Sequence, residues 1–265
     1  YQVENLVVDL NSWSNWVQGR HSNTRADFQV CPFSLGSKNR GSVPIDNLRG
    51  SINHRVEADG WQLQMADLSL TMWQRSWPEA KILLNYRQKD NEVSTYKLAA
   101  DFLRLQDVVE IASLEPGSGE LMAQLQSIGP EADIKDLQFS YTISHGANDW
   151  QLATEFNQLS SRPWGKIPGI ANFSGAIRAN PNHVQLQLHT VDAALDLQNL
   201  FMTPLPLTEL SGQIDWLKQA DSWQIFSNSL VAENADIKTR SRFKLTGNPL
   251  FMDLQTNFHQ ALAAN

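Results

Sequence analysis

The chain has 265 residues, 42% hydrophobic and 18% charged, which is enough to bury a core and too apolar for global disorder. A net charge of -7 argues against nucleic acid as a partner, since such proteins carry a basic face. The single cysteine, Cys31, excludes an intrachain disulfide and a thiolate metal cluster, and beside Pro32 and Phe33 it reads as a small buried apolar residue.

Strand patterns begin at once, with Tyr1 and Val3, then Leu6, Val7 and Val8, in a strand ending near Leu10. There is no basic leader and no apolar run near the ~20 residues of a membrane span, so the chain reads as an internal piece of a longer protein. Asn11 to Val17 is polar apart from Trp13 and Trp16 and reads as a short amphipathic turn anchored by those two rings. Residues 36–47, with Gly36, Ser37, Asn39, Gly41, Ser42 and Pro44, have loop chemistry.

Residues 48–100 alternate as strands do. Ile52, His54 and Val56 form one apolar set, and Trp61, Leu63 and Met65 the next. The phase then slips to Leu68, Leu70 and Met72. A one-residue slip sends side chains to the opposite face unless a bulge absorbs it, so a bulge is placed near Ala66 and Asp67. Trp77-Pro78 marks a turn or strand edge. Ile82, Leu84 and Tyr86, then Val93, Tyr96 and Leu98, form a further hairpin around Lys89-Asp90-Asn91.

Residues 101–129 change period. Leu105, Val108, Val109 and Ala112 share one helical stripe, and Leu121, Leu125 and Ile128 another. Ser118 is placed as N-cap of the second helix and Gly129-Pro130 as its stop. The pair is a helical hairpin over 104–128 inserted into the strands, and each helix needs an apolar surface beneath its stripe. Residues 131–259 return to strands, from Ile134, Leu137, Phe139, Tyr141 and Ile143 to Met252–Phe258. A loop lies at 163–169, and a stiff crossover is expected from Leu200 to Leu207. The total is about 14 strands, or ~65 Å of array at ~4.8 Å per strand.

One cadence recurs. Leu48-Arg49-Gly50-Ser51-Ile52 leads after nine residues to Trp61, and Tyr141 leads after nine to Trp150. Phe173-Ser174-Gly175-Ala176-Ile177 returns at Val184-Gln185-Leu186, and Leu210-Ser211-Gly212-Gln213-Ile214 returns at Trp223-Gln224-Ile225. Repeated units of one hairpin type imply an array.

Several stretches carry a family resemblance. They are the helical pair running into Ala132-Asp133-Ile134-Lys135-Asp136-Leu137, then Ile167-Pro168-Gly169-Ile170-Ala171-Asn172-Phe173-Ser174-Gly175, and then Asn199-Leu200-Phe201, Pro204-Leu205-Pro206-Leu207, Leu210-Ser211-Gly212 and Trp216. In this order they resemble the AsmA-like YhdP family, best between residues 100 and 247. The resemblance implies a mainly β fold: a long twisted antiparallel sheet curled into an open hydrophobic groove, continuous over residues 1–265. It implies a periplasmic segment of a larger phospholipid-transfer protein, tethered to the inner membrane by an anchor helix outside this chain, with outer-membrane or envelope proteins as further partners. It implies no catalysis and no cofactor.

In such a groove one face of each strand meets the acyl chains. The lining expected here is Ile52, Leu63, Leu84, Phe139, Tyr141, Leu152, Phe156, Ile177, Leu186, Leu188, Ile214 and Ile225, with Val109 and Leu125 on a gate or cap. The bland alternative for each is an ordinary core residue, and for the helices a simple cover. No metal or catalytic motif competes. His21, His54, His145, His183, His189 and His259 are scattered, and neither a G-x-S-x-G elbow nor a phosphate loop is present. The rival functions are a structural or interaction β domain of the envelope and a carbohydrate-binding β sandwich using its Trp and Tyr side chains.

Overall fold

The computed structural model describes residues 2–4, 6–37, 41–89, 92–115, 119–144, 147–165, 167–197 and 202–261. The chain is mainly β, with antiparallel pairing and two short helices. It divides into two compact units, unit 1 at 1–126 and 134–150 and unit 2 at 127–133 and 151–265.

Unit 1 contains β1 (Gln2–Glu4), β2 (Val8–Val17), β3 (Arg20–Val30), β4 (Phe33–Ser37), β5 (Gly41–Ile45), β6 (Asn47–Glu57), β7 (Gly60–Met72), β8 (Arg75–Ser76), β9 (Ala80–Lys89) and β10 (Val93–Arg104). Helix α1 (Leu105–Ser113) follows, with most of α2 (Gly119–Ile128) and β11 (Glu131–Ser144). The main sheet runs β2-β3-β6-β7-β9-β10-β11, β8 pairs with β7, and β1-β4-β5 form a small second sheet.

Three expectations fail here. Asn11–Val17 is strand, not a turn: Ser12 and Ser14 face Ala26 and Thr24 across the β2–β3 ladder. The turn at Gln18-Gly19 has φ of 51° and 75°, the left-handed pair that matches strand twist in a tight hairpin. Trp13 and Trp16 are 58% and 65% exposed, so neither is buried as an anchor. The proposed loop at 36–47 holds the β4–β5 hairpin, whose Val43 and Ile45 are buried. Backbone pairing and two buried residues outweigh the Gly and Ser content. Cys31 is exposed, against expectation, because it lies in the β3–β4 connection, where its N–H donates to the Val7 carbonyl at 3.0 Å.

The bulge is where the phase slip places it. Arg49 faces Ser69 while Ser51 faces Ala66, so β7 carries one extra residue, and Asp67 there has φ 52°. Leu68 and Leu70 therefore return to the face that holds Ile52 and Met65. At that end of the sheet lies the core: Leu68, Leu70, Met72, Trp77, Ala80 and Phe102 beneath Val43, Ile45 and Leu114.

The α1 stripe is rotated from expectation. Val109 is buried, but Val108 is 36% exposed and Asp107 is fully buried. Asp107 accepts a hydrogen bond from Trp77 Nε1 at 2.7 Å and lies 3.5 Å from Arg75 and 4.0 Å from Arg104. Those partners offset its desolvation and fix the helix on the sheet. The Ser118 N-cap lies outside the described residues, and Gly129, at φ 56°, ends α2 with the left-handed residue expected of a helix stop.

Unit 2 is simpler. β12 (Ala147–Ser161), β13 (Gly169–Asn180), β14 (His183–Asp196), β15 (Leu205–Lys218), β16 (Trp223–Glu233), β17 (Ile237–Thr246) and β18 (Phe251–Ala261) pair in sequence order. The expected crossover is a hairpin instead, for Leu205, Pro206 and Leu207 pair with Leu195, Ala194 and Ala193. Pro206 lies near the start of its strand, where a missing donor is tolerated. Residues 199–201 lie outside the described residues. At two hairpins an Asn carboxamide accepts from the backbone just after it: Asn180 Oδ1 from Asn182 and His183, and Asn234 Oδ1 from Asp236 and Ile237. Neither unit's sheet closes into a barrel, and β2 and β18 are edge strands.

A line of bulges crosses unit 2. Gln158, Asn172 and Asp192, on adjacent strands, have φ of 55°, 61° and 52°. Side chains replace the ladder bonds lost there. Ser174 Oγ accepts from Gln158 N–H at 3.1 Å, Ser160 Oγ from Asn172 N–H at 3.0 Å, and Thr190 Oγ1 from Ser174 N–H at 3.0 Å. Thr190 Oγ1 donates back to the Ser174 carbonyl at 2.9 Å. Aligned bulges sharpen twist and bend, so this seam creases the sheet. The repeated glycine belongs to the same device. A Cβ on Gly175 would overlap the Gln187 carbonyl oxygen and lie 2.9 Å from the Phe156 ring, and one on Gly212 would overlap the Ser229 carbonyl oxygen.

Two substitutions test these assignments by urea denaturation. Gly175→Val is expected to cost about 2 kcal/mol or more, as overpacking against backbone does. Asp107→Ala is expected to cost about 3 kcal/mol, with Asp107→Asn milder because Trp77 keeps an acceptor.

Candidate functional site

Register assigns every side chain a face. In unit 1, Ile52 faces Met65, which faces Ile82, and one step outward His54, Leu63, Leu84 and Leu98 form a row across β6, β7, β9 and β10. Thr95 points to the reverse face and contacts Thr142 of β11 at 3.3 Å. Phe139 and Tyr141, an odd number of residues from Thr142, therefore project with Leu84.

In unit 2 one row runs unbroken over seven strands: Leu152, Ala179, Val184, Trp216, Ile225, Leu245 and Met252. The next row holds Ile177, Leu186 and Ile214, and the next Phe156, Gly175, Leu188 and Gly212. Thus the structure brings Ile52, Leu63, Leu84, Phe139 and Tyr141 to one face of unit 1. It brings Leu152, Phe156, Ile177, Leu186, Leu188, Ile214 and Ile225 to one face of unit 2.

Ten of these twelve are half-buried, and Phe156 and Leu188, at 5% and 4% exposure, are buried. In unit 2 the described strands all belong to one sheet, so its apolar residues shield one another across a bent layer. A flat face could not shield them this way. Val109 is buried among α1 residues, with Leu114 of the core beside that helix, whereas Leu125 on α2 is half-buried.

The reverse faces are polar. In unit 2 they carry Gln185, Gln187, Gln213, Arg242, Lys244 and Asp253. A cleft of about 400 Å³ opens there beside Phe226, Arg242 and Lys244, and in unit 1 one of about 320 Å³ opens beside Gln62, Gln64, Lys81 and Asp101. Both mix hydrogen-bonding and charged groups with apolar side chains, Leu217 and Phe226 in the first and Leu83 and Leu137 in the second. Asp215, buried on the reverse face, binds His183 Nε2 at 2.8 Å and accepts from Gln213 Nε2 at 2.7 Å. Burial pushes its carboxyl up, but the bonds from Gln213 and His183 and the His183 charge outweigh that and hold it below the ordinary value of 3.8. Among the described residues no cluster of three or more His, Cys, Asp or Glu is placed to hold a metal ion.

Two features escaped the sequence reading. The crease at Gln158, Asn172 and Asp192 was readable in principle, since Phe156 to Leu159 and Ile170 to Phe173 are phase slips like the one at Asp67. The second is a ladder of rings on the apolar side of unit 1, running Trp16, His21, His54, Trp61, Tyr86 and Tyr96. Successive centroids are 5.5, 5.7, 6.4, 6.1 and 5.0 Å apart. Only strand register aligns rings drawn from six strands.

A family profile described as "YhdP protein" matches residues 3–265. Among curated proteins, the chain is 23% identical over 219 residues to the intermembrane phospholipid transporter YhdP of Escherichia coli (strain K12). That alignment covers 79% of this chain and 17% of the relative, so the chain corresponds to a small part of that protein. No solved structure matches the chain. No helix among the described residues is long and apolar enough to cross a membrane.

The Asp215 network has a pH signature. A carboxyl whose pKa is lower folded than unfolded contributes stability fully above its unfolded value, and that contribution disappears as pH falls through the lowered value. Asp215→Asn is therefore expected to flatten the loss of stability below about pH 4, read as urea midpoint against pH.

Proposed function

This chain belongs to the YhdP protein family, and from that premise we propose that it is a periplasmic segment of a lipid-transfer protein. Its apolar sheet face carries phospholipid between the inner and outer membranes. The observation that carries this reading is the one-sided sheet. Leu186, Ile214 and their row lie on a face over which the described residues of unit 2 place no second sheet, while the reverse face is mainly polar.

Half-shielded aliphatic side chains are unfinished contacts, and acyl chains complete them without any directional requirement. At ~0.8 kcal/mol per methylene, a chain of about fifteen methylenes half-removed from water gains about 6 kcal/mol. That holds a lipid without trapping it. Successive rows of similar depth let the cargo step from strand to strand, as multi-site conduction requires. The polar reverse face keeps the outside of the trough in water.

Val109 belongs to a fixed cover rather than a gate, because Asp107 pins α1 to Trp77 of the core. The protein works as a carrier without a catalytic centre. It is tethered to the inner membrane by a helix elsewhere in the polypeptide, and it meets outer-membrane or envelope partners through other segments.

The test is photocrosslinking in cells, with a photoreactive residue at Leu186 or Ile214 and reverse-face controls at Gln187 and Gln213. Phospholipid adducts are expected at the first two and not at the controls. Equal labelling at all four, or none at Leu186 and Ile214, would falsify the assignment.

A further inference from the structure

The ring ladder of unit 1 has a place in the trough that the lipid-carrier reading does not itself require. Five of the six members lie at the turn end of their strands, and His54 lies one register step inward, opposite Leu63. Trp16 and His21 flank the Gln18-Gly19 turn, Trp61 follows Gly60, and Tyr86 and Tyr96 lie near the turn end of the β9–β10 hairpin. The ladder therefore runs strand to strand along one rim of the apolar face.

The strands grade in one direction from that rim. Along β9, Tyr86 is followed by Leu84, then Ile82, then Ala80 in the sealed core. Along β7, Trp61 is followed by Leu63 and Met65 and then, past the bulge, by Leu68 at 6% exposure. From Trp61 to Met65 is ~13 Å at strand rise. Polar-tipped rings thus border half-open aliphatic floor, and the floor ends at a closed core. Tyr96 is 44% and Trp16 65% exposed, so the rim faces water.

This order is that of a glycerophospholipid read from head to tail. Rings with an N–H or O–H on an apolar body settle where hydrocarbon meets water, because each end of the side chain then has its own solvent. Beside Tyr86, whose hydroxyl donates to Gln88 Oε1 at 3.1 Å, Trp61 offers an indole N–H, Tyr96 a hydroxyl and the histidines ring N–H groups. These are donors for ester carbonyl and phosphate oxygens. Centroid spacings of 5.0 to 6.4 Å put the next donor within one strand step. The stacking also stiffens the rim, since each ring is held by the next.

We propose that the Trp16–His21–His54–Trp61–Tyr86–Tyr96 ladder is the seat of the lipid's glycerol-phosphate end in unit 1, with the acyl chains directed inward over Leu63, Leu84 and Met65. The proposal rests on the lipid-carrier reading and adds a polarity to it. The rim sets which end of the lipid stays in water and at what height along the strands.

The experiment places a benzophenone side chain at Trp61 or Tyr86 on the rim and at Leu63 or Leu84 on the floor. The full chain is mixed with phosphatidylethanolamine–phosphatidylglycerol vesicles and irradiated, and each adduct is fragmented by mass spectrometry. Rim positions are expected to attach to the headgroup, the glycerol or the first acyl carbons, and floor positions to deeper acyl carbons. Floor adducts together with rim adducts at the same depth, or a reversed order, overturn the ladder's role and leave the carrier reading standing. No adduct from any of the four overturns both. Protection of the rim by a soluble oligosaccharide, with the floor unaffected, assigns the rings to glycan and also overturns the proposal. As a second measurement, Tyr86→Leu with Tyr96→Leu should leave the benzophenone at Leu84 labelling lipid but shift its attachment points along the chain. Unchanged attachment points count against the rim setting the lipid's height.

Discussion

Everything in this protein depends on keeping the two faces of a strand in phase. A β-strand sends successive side chains to opposite sides, so one inserted or lost residue exchanges the faces for the rest of its length. Such slips are absorbed where an extra residue is bulged out, as at Asp67 in unit 1 and at Gln158, Asn172 and Asp192 in unit 2. Asp and Asn suit these positions because their short polar side chains accept left-handed backbone more readily than most. Each bulge keeps Leu, Ile and Phe on one side and also adds local twist and bend to the sheet. Phase and curvature therefore come from the same residues.

The recurrent glycine is the other half of this arrangement. Gly50 lies against the Ala66–Leu68 bulge, Gly175 lies under the Phe156 ring against the β14 backbone, and Gly212 faces the irregular stretch of β16. All three are on the apolar side, between large aliphatic neighbours. A side chain there would prop the bend open. The glycine of the Leu-x-Gly-x-Ile cadence marks a crease, not a turn.

The two units solve burial differently. Unit 1 has a second layer, with β4, β5 and α1 closing one end of the face and Asp107 locking the helix to Trp77. Unit 2 relies on its bent sheet for Phe156, Phe173, Leu188, Leu207 and Leu210, all at 9% exposure or less. Full burial of a Leu or Phe is worth about 1.5–3 kcal/mol, and most of this surface receives only part of that. The remainder is available to whatever completes the contact, which gives a sheet of this kind affinity for apolar guests without a shaped pocket.

Alternation, the helical period at 105–128 and the slip at Met65–Leu68 were written in the residues themselves, because each is a local pattern read against one strand or helix. That was enough to place all twelve proposed lining side chains on a common face within their units and to site the bulge at Asp67. Where local composition was misleading, long-range pairing decided. The β2 strand and the β4–β5 hairpin exist because partners across the sheet supply hydrogen bonds that Ser, Asn and Gly do not advertise. Asp107 turns inward on α1 because Trp77, Arg75 and Arg104, far off in sequence, meet it there. The ring ladder belongs wholly to the second category. Its members are spaced irregularly along the chain, and only the register of six strands, set by backbone pairing over the whole of unit 1, aligns them along one rim.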